Sequence, residues 1–348
     1  MKSFCSHLLT LLTIALITAA SAEASIQTLY MAPDGNDSWS GTLAAPNADK
    51  SDGPLASLNV ARLKVREQDA KSPVEVLIRG GEYQLTETVV FTVEDSGSEN
   101  APITYKAYPD EQPVFTGGKQ LSDWKKVDHE PTSIHPKAKG KLWYAEIPAE
   151  LKGAWQITSL YEGTELLSRS RSGVLTVSKT HQQDHLNAQP KDLRRPGREF
   201  HMEFGDPAVT FSREITYEKD DLKDWVNIQD IEIYMSPKHR WLINILPLES
   251  IDPANQTATF TVPPTYGFRP KNKYQIDNAI EHLDEPGEWC FNSLEGRVYY
   301  WPEKPLEESD IRAPYLQEFI RLEGIEDTEP VKYVSFEGIT FRHGLRDT

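Results

Sequence analysis

Apolar and polar residues alternate through Val74–Phe91, VEVLIRGGEYQLTETVVF. Val74, Val76 and Ile78 share one face and Glu75, Leu77 and Arg79 the other, the period of a strand with one buried side. Gly80-Gly81 interrupts this run, and a second short strand is expected at Val89–Thr92. Ile103–Tyr108 and Val114–Thr116 continue the series, bounded by Pro102, Pro109, Pro113 and Gly117-Gly118. Short strands punctuated by turn residues, with no hairpin dipeptide between them, predict successive coils of a parallel β-solenoid.

Upstream, Ile26–Met31 reads as an entry strand, and Ala32–Pro54, rich in Pro, Gly, Asp, Asn and Ser, as a loop. Ser57 is placed to cap a helix whose Leu58, Ala61 and Val65 share one face. Such a helix can cover the open end of a solenoid, which otherwise exposes apolar interior and unpaired backbone.

The rhythm changes after Leu121. From Ser122 to Pro314 the chain is richer in Trp and long polar loops. Strands are expected at Leu142–Ile147, Thr158–Tyr161, Asp230–Met235, Ala258–Val262 and Arg297–Tyr300, with a turn around Asn255 in Asp252–Gln256. This stretch reads as a β-rich, sandwich-like domain inserted into a solenoid loop. Coil-like strands return at Glu318–Glu323 and in Tyr333–His343 (YVSFEGITFRH), where Gly338 bends the chain between Phe336 and Ile339. The expected organisation is therefore a leader over 1–22, coils with a capping helix over 25–121, an insertion over 122–314, and resumed coils over 315–348. A last coil without a capping segment leads us to expect a piece of a longer protein; a complete chain covered by another polypeptide is the other reading.

Lys2, the apolar Leu8–Ile17 and Ala20-Ser21-Ala22 form a secretory leader, with cleavage after Ala22 or after Ala24 both open. The apolar core is short for a spanning helix, so export to the periplasm or medium is expected, with no membrane association after cleavage. Loss of Cys5 with the leader leaves Cys290 alone, as a buried small apolar residue without a disulfide partner. A formal net charge of −16 repels polyanions and argues against nucleic acid as partner.

Several groups are candidates for chemistry. Asp284, Glu285 and Glu288 lie near Trp289, Tyr299, Tyr300 and Trp301, and a glycosidase needs two carboxyl groups flanking one bond; the same string also reads as an Asp-Glu-Pro-Gly turn beside core aromatics. Asp34, Asn36 and Asp37 offer oxygen ligands suited to Ca²⁺, though their spacing departs from the helix-loop-helix calcium pattern and an Asx-rich turn gives the same string. His181 and His185 flank Asp184 at a spacing that chelates zinc on a helix, but Gln182 stands where the general-base Glu belongs. Arg194, Arg195 and Arg198 form a basic patch able to meet an acidic sugar or to sit solvated in a loop. Arg342 and His343 lie on the last coil, where a cleft is conceivable. No metal or cofactor is assigned, and no residue pair stands out as catalytic.

Four strings, Tyr30–Gly41 (YMAPDGNDSWSG), Pro54–Glu67 (PLASLNVARLKVRE), Asp284–Pro302 (DEPGEWCFNSLEGRVYYWP) and Val334–His343, carry a family resemblance. Together they resemble secreted right-handed parallel β-helix proteins of the pectin-lyase-like fold, and are similar to the N-terminal part of glycoside hydrolase family 141-like proteins with their inserted domain. The resemblance implies an all-β exported enzyme acting on plant or algal cell-wall polysaccharide, with catalytic acids on coils past Thr348. A polysaccharide lyase and a non-catalytic carbohydrate-binding solenoid remain as alternatives on the same fold.

Overall fold

The computed structural model describes residues 25–180, 212–237, 241–326 and 328–346. The expected leader, the His181/Asp184/His185 group and Arg194, Arg195 and Arg198 lie outside the described residues. Among the described residues, no helix is long and apolar enough to cross a membrane.

The architecture is mostly β. In chain order the first elements are β1 (Gln27–Met31), α1 (Leu58–Arg66), β2 (Val74–Ile78), β3 (Gly81–Gln84), β4 (Val89–Thr92), β5 (Ile103–Ala107), β6 (Pro113–Thr116) and β7 (Gly118–Gln120). Short strands follow: β8 (Lys125–Lys126), β9 (Trp143–Glu146), β10 (Tyr161–Glu162), β11 (Glu165–Leu166), β12 (Leu175–Thr176) and β13 (Lys179–Thr180). Next come β14 (Glu214–Thr216), β15 (Glu232–Met235), β16 (Asn244–Asp252), β17 (Thr257–Phe260) and β18 (Lys273–Asp277). The last are β19 (Trp289–Asn292), β20 (Arg297–Tyr300), β21 (Ile311–Pro314), β22 (Ile320–Glu323), β23 (Val334–Glu337) and β24 (Thr340–Arg342). The described residues group into two compact units.

The first unit comprises 25–80, 91–112 and 322–338. Its sheet has the order β1-β2-β5-β23, and all three pairings are parallel. The register aligns Leu29, Val76, Tyr105 and Phe336 in one inward row. Phe91 meets Tyr105 and Phe336 edge-on at 5.4 and 5.3 Å, and Tyr105 stacks on Phe336 at 5.3 Å. Residues from either side of the 122–314 stretch thus build one core. On the outer face Thr104 and Ser335 share a 3.1 Å hydroxyl bond.

Helix α1 forms where the sequence predicts it. Ser57 is extended and its hydroxyl accepts from Val60 N–H, while Leu58, Ala61 and Val65 are buried and the helix lies against β1. Arg62 and Arg66 both reach the buried Asp95, whose carboxylate also accepts from Thr92 N–H at 2.7 Å. Burial alone drives the Asp95 pKa up; the Arg66, Thr92 and Arg62 bonds outweigh it and leave it lowered. The expected break at Gly80-Gly81 is a two-residue corner, Arg79-Gly80, between β2 and β3. Glu111 takes a fork from Arg79 and the Gly80 N–H at 2.5 Å, which turns the chain so that β3 starts at Gly81, a strand absent from the sequence reading.

The second unit comprises 81–90, 113–321 and 339–346. Strands β3, β6 and β24 form a parallel sheet in which Tyr83, Phe115 and Phe341 stack at 5.0 and 5.8 Å. Three further sheets are antiparallel: β11-β10-β21-β7, β19-β20-β9-β8 and a seven-stranded β12-β18-β15-β16-β17-β14-β13. The seven-stranded sheet buries one face on a core that includes Ile233, Met235, Leu246, Leu248, Phe260, Tyr274 and Ile276. The turn expected around Asn255 joins β16 to β17, with Asp252 accepting from Ala254 and Asn255 N–H. The nine-residue β16 and β18, which flank β15, were not among the expected strands; Pro247 lies mid-strand in β16, where a sequence reading demotes a strand.

Candidate functional site

The side chains singled out from sequence fall into separate places, and those described are engaged in structure. Asp37 accepts from Ala56 and Ser57 N–H, both at 2.9 Å, and Asn36 accepts from Ser38. The string is an Asx-rich turn that braces the start of α1. Among the described residues no group of three or more His, Cys, Asp or Glu is placed to hold a metal ion.

Glu288 folds back on its own turn, accepting from Asp284 N–H at 2.7 Å and Glu285 N–H at 3.1 Å. Burial raises its pKa against the pull of those two donors. Trp289, Tyr299 and Tyr300 are core residues rather than a sugar-facing wall. The Tyr300 hydroxyl is pushed up to about 12, chiefly by burial. Cys290 is buried in the same cluster as Tyr299, and burial raises its thiol far above the usual range.

His343 is buried at the end of β24, with a positive φ of 58°. Its Nε2 lies 2.8 Å from the Gly163 carbonyl, which can only accept, so that nitrogen carries the proton. Nδ1 is then left to accept from the buried Thr116 hydroxyl at 2.8 Å. Both ring nitrogens are committed, and Tyr161 closes the edge at 5.0 Å. A side chain at Gly118 would come within 2.7 Å of the His343 Cβ, so this packing requires glycine there. His343 therefore acts as a brace.

The densest polar group lies on the outward face of the seven-stranded sheet, and sequence reasoning missed it. Alternation turns Glu232 and Tyr234 outward from β15, and Lys273, Gln275 and Asp277 outward from β18. Arg171 forks onto Asp277 at 2.6 and 2.7 Å and lies 4.1 Å over the Tyr234 ring. Arg169 and Arg346 both bind Glu232, Arg346 at 2.9 and 3.1 Å. Asn278 joins this group to the next sheet by accepting from Phe291 N–H and donating to the Asp230 carbonyl. The only sequence signal was the alternating run Ser168–Ser172, SRSRS, which no hydrophobic period explained.

Chemically, these carboxylates hold guanidinium groups in place. Glycoside cleavage needs one carboxyl free to donate a proton and another free to attack or to activate water. Glu232 and Asp277 are each bound by arginine, and Glu82 and Asp310 share Arg312 at 2.8 and 3.0 Å. These four carboxylates fix geometry between strands and loops.

An all-β fold that mixes parallel and antiparallel sheets is thus in hand. No family model matches the chain, and no curated protein matches it. Among solved structures it is similar to one described as "Glycoside hydrolase", with a TM-score of 0.67 and 22% identity over 91% of this chain and 51% of that one. It aligns with "The complex structure of XylC with xylose" at a TM-score of 0.39 and 13% identity, over 91% of this chain and 35% of that one. A third, "Rhamnogalacturonan lyase", aligns at a TM-score of 0.19 and 30% identity over 26% of this chain and 22% of that one. The last two superpositions are too shallow to bear on the fold. The first shows a shared fold, and the chain spans about half the length of that structure.

Proposed function

We propose that this chain is part of an exported right-handed parallel β-helix enzyme, a glycoside hydrolase acting on cell-wall polysaccharide. In this reading the helix coils run through 25–121 and 315–348, and a sandwich-like domain over 122–314 is inserted between them. The leader at 1–22 directs export. The observation that carries the reading is the parallel pairing of β23 on β5, Phe336 opposite Tyr105, in a fold shared with a structure described as a glycoside hydrolase. The catalytic carboxyl pair belongs to coils outside these 348 residues, which accords with the arginine-bound state of Glu82, Glu232, Asp277 and Asp310.

The test is to incubate the purified 348-residue chain with neutral polysaccharides and soluble oligosaccharides and to measure new reducing ends. The expected result is no release. Sugar release by this chain overturns the placement of the catalytic pair. Products absorbing as unsaturated sugars replace hydrolysis with elimination, and the enzyme is then a lyase.

A further inference from the structure

We propose that Arg171 and Arg346, on the outward face of the seven-stranded sheet, bind the carboxylate of a uronic acid borne as a branch on an otherwise neutral polysaccharide. The inference rests on the polysaccharide reading above and adds the kind of sugar that this face selects.

The charges on this face do not balance. Three guanidinium groups, Arg169, Arg171 and Arg346, share two carboxylates, Glu232 and Asp277. Asp230, the next acid along the chain, turns its carboxylate to Asn227 and the Ser293 N–H instead. Glu232 and Asp277 are register partners on β15 and β18, which puts their Cβ atoms about 5 Å apart. The arginines they hold are therefore neighbours.

Two of those arginines keep donors in reserve. Arg169 is spent on Asn278, Glu232 and the Asp230 carbonyl. Arg171 forks onto Asp277 through Nε and Nη2, at 2.6 and 2.7 Å, and its Nη1 meets no acceptor among the described residues. Arg346 binds both Glu232 oxygens through Nη2 alone. Its Nε is buried with no acceptor among the described residues, so this guanidinium is short of oxygen partners. The two side chains are 38% and 27% exposed, enough to meet a ligand from water. Asp277 and the Tyr234 ring, 4.1 Å from the Arg171 guanidinium, hold that plane in a fixed orientation.

The occupant follows from chemistry. A planar guanidinium with spare N–H groups selects a carboxylate. Ile245, the register partner of Tyr234, is half-exposed and gives a sugar ring an apolar floor beside the arginines. The chain as a whole carries −16, which repels a polymer charged at every unit. Screening confines such fields to about 8 Å at physiological salt, so a lone acid on a neutral chain meets the local excess of arginine.

The experiment is co-sedimentation of the full chain with an insoluble xylan bearing sparse glucuronate branches, and with the same xylan after chemical reduction of its carboxyl groups. The expected result is retention on the acidic polymer roughly tenfold above the reduced one, weakening as NaCl rises from about 0.05 to 0.5 M. Methyl glucuronoside should compete, and acetate at the same concentration should not. Arg171→Lys keeps a cation beside the buried Asp277, so its melting temperature should stay near the parent's, yet it loses the forked plane and should weaken retention roughly tenfold. In the parent, methyl glucuronoside should shift the guanidinium NMR signals of Arg171 and Arg346, a readout that stands even where the variant fails to fold. Equal retention on the two polymers, equal competition by acetate, parent-like binding by a folded Arg171→Lys, or signals that do not move each overturns the site. Reducing-end assays on soluble oligosaccharides judge the hydrolase reading separately, so one can fail while the other stands.

Discussion

The contact that joins the two ends of the chain is measurable through Phe336. Its ring meets Phe91 edge-on and stacks on Tyr105, both at 5.3 Å, although 122–314 separates it from either in sequence. Phe91 is fully buried, and truncation of such a phenylalanine to alanine costs about 3–5 kcal/mol. Phe336 is half-buried, so Phe336→Ala should cost about 2 kcal/mol by scaling that range with burial. The readout is amide hydrogen exchange, because two compact units make a single global unfolding energy ill-defined. A loss of about 2 kcal/mol raises exchange in β5, Ile103–Ala107, by roughly thirtyfold, while β16 in the other unit keeps its protection. The double variant Phe91→Ala/Phe336→Ala should depart from additivity by about 0.5–1.5 kcal/mol, the worth of an aromatic pair. Unchanged exchange in β5 on Phe336→Ala, or strict additivity in the cycle, would refute the shared core.

Two further outcomes follow. Asp95 has a lowered folded pKa, so the stability it contributes is present above the unfolded carboxylate range and is lost as pH falls through the folded value. Exchange protection of α1 and β4 should therefore drop below about pH 4, and Asp95→Asn should flatten that dependence while lowering protection at neutral pH. Glu232→Ala leaves Arg169 and Arg346 without their shared carboxylate and should cost about 3–5 kcal/mol in the second unit; a melting curve unchanged by this substitution would show that the network is dispensable.

The parallel strands of the first unit were legible because their sequences alternate locally. Val74, Val76 and Ile78 carry their burial pattern within five residues, and that pattern sets which face turns inward; Val334 and Phe336 repeat the same apolar alternation. Helix α1 was legible for a similar reason, since Ser57 and the Leu58, Ala61, Val65 stripe lie within one short segment. Strand β16 was not, because Pro247 contradicts a strand locally and only pairing with β15 and β17 holds it extended. His343 was visible as a candidate, but its role depended on a carbonyl at Gly163 and a hydroxyl at Thr116, both distant in sequence.

By itself, then, the sequence determined several of the short strands, where the helix after Ser57 starts, and that strands before and after a long interruption share one pattern. The tertiary structure decided which carboxylates are neutralised by which arginines, and that His343 is sealed in the interior rather than set in a cleft. The physical reason is range. Strand alternation and helix capping are set by neighbours along the chain, whereas ion pairing and solvent exposure are set by whatever the fold brings within a few ångströms.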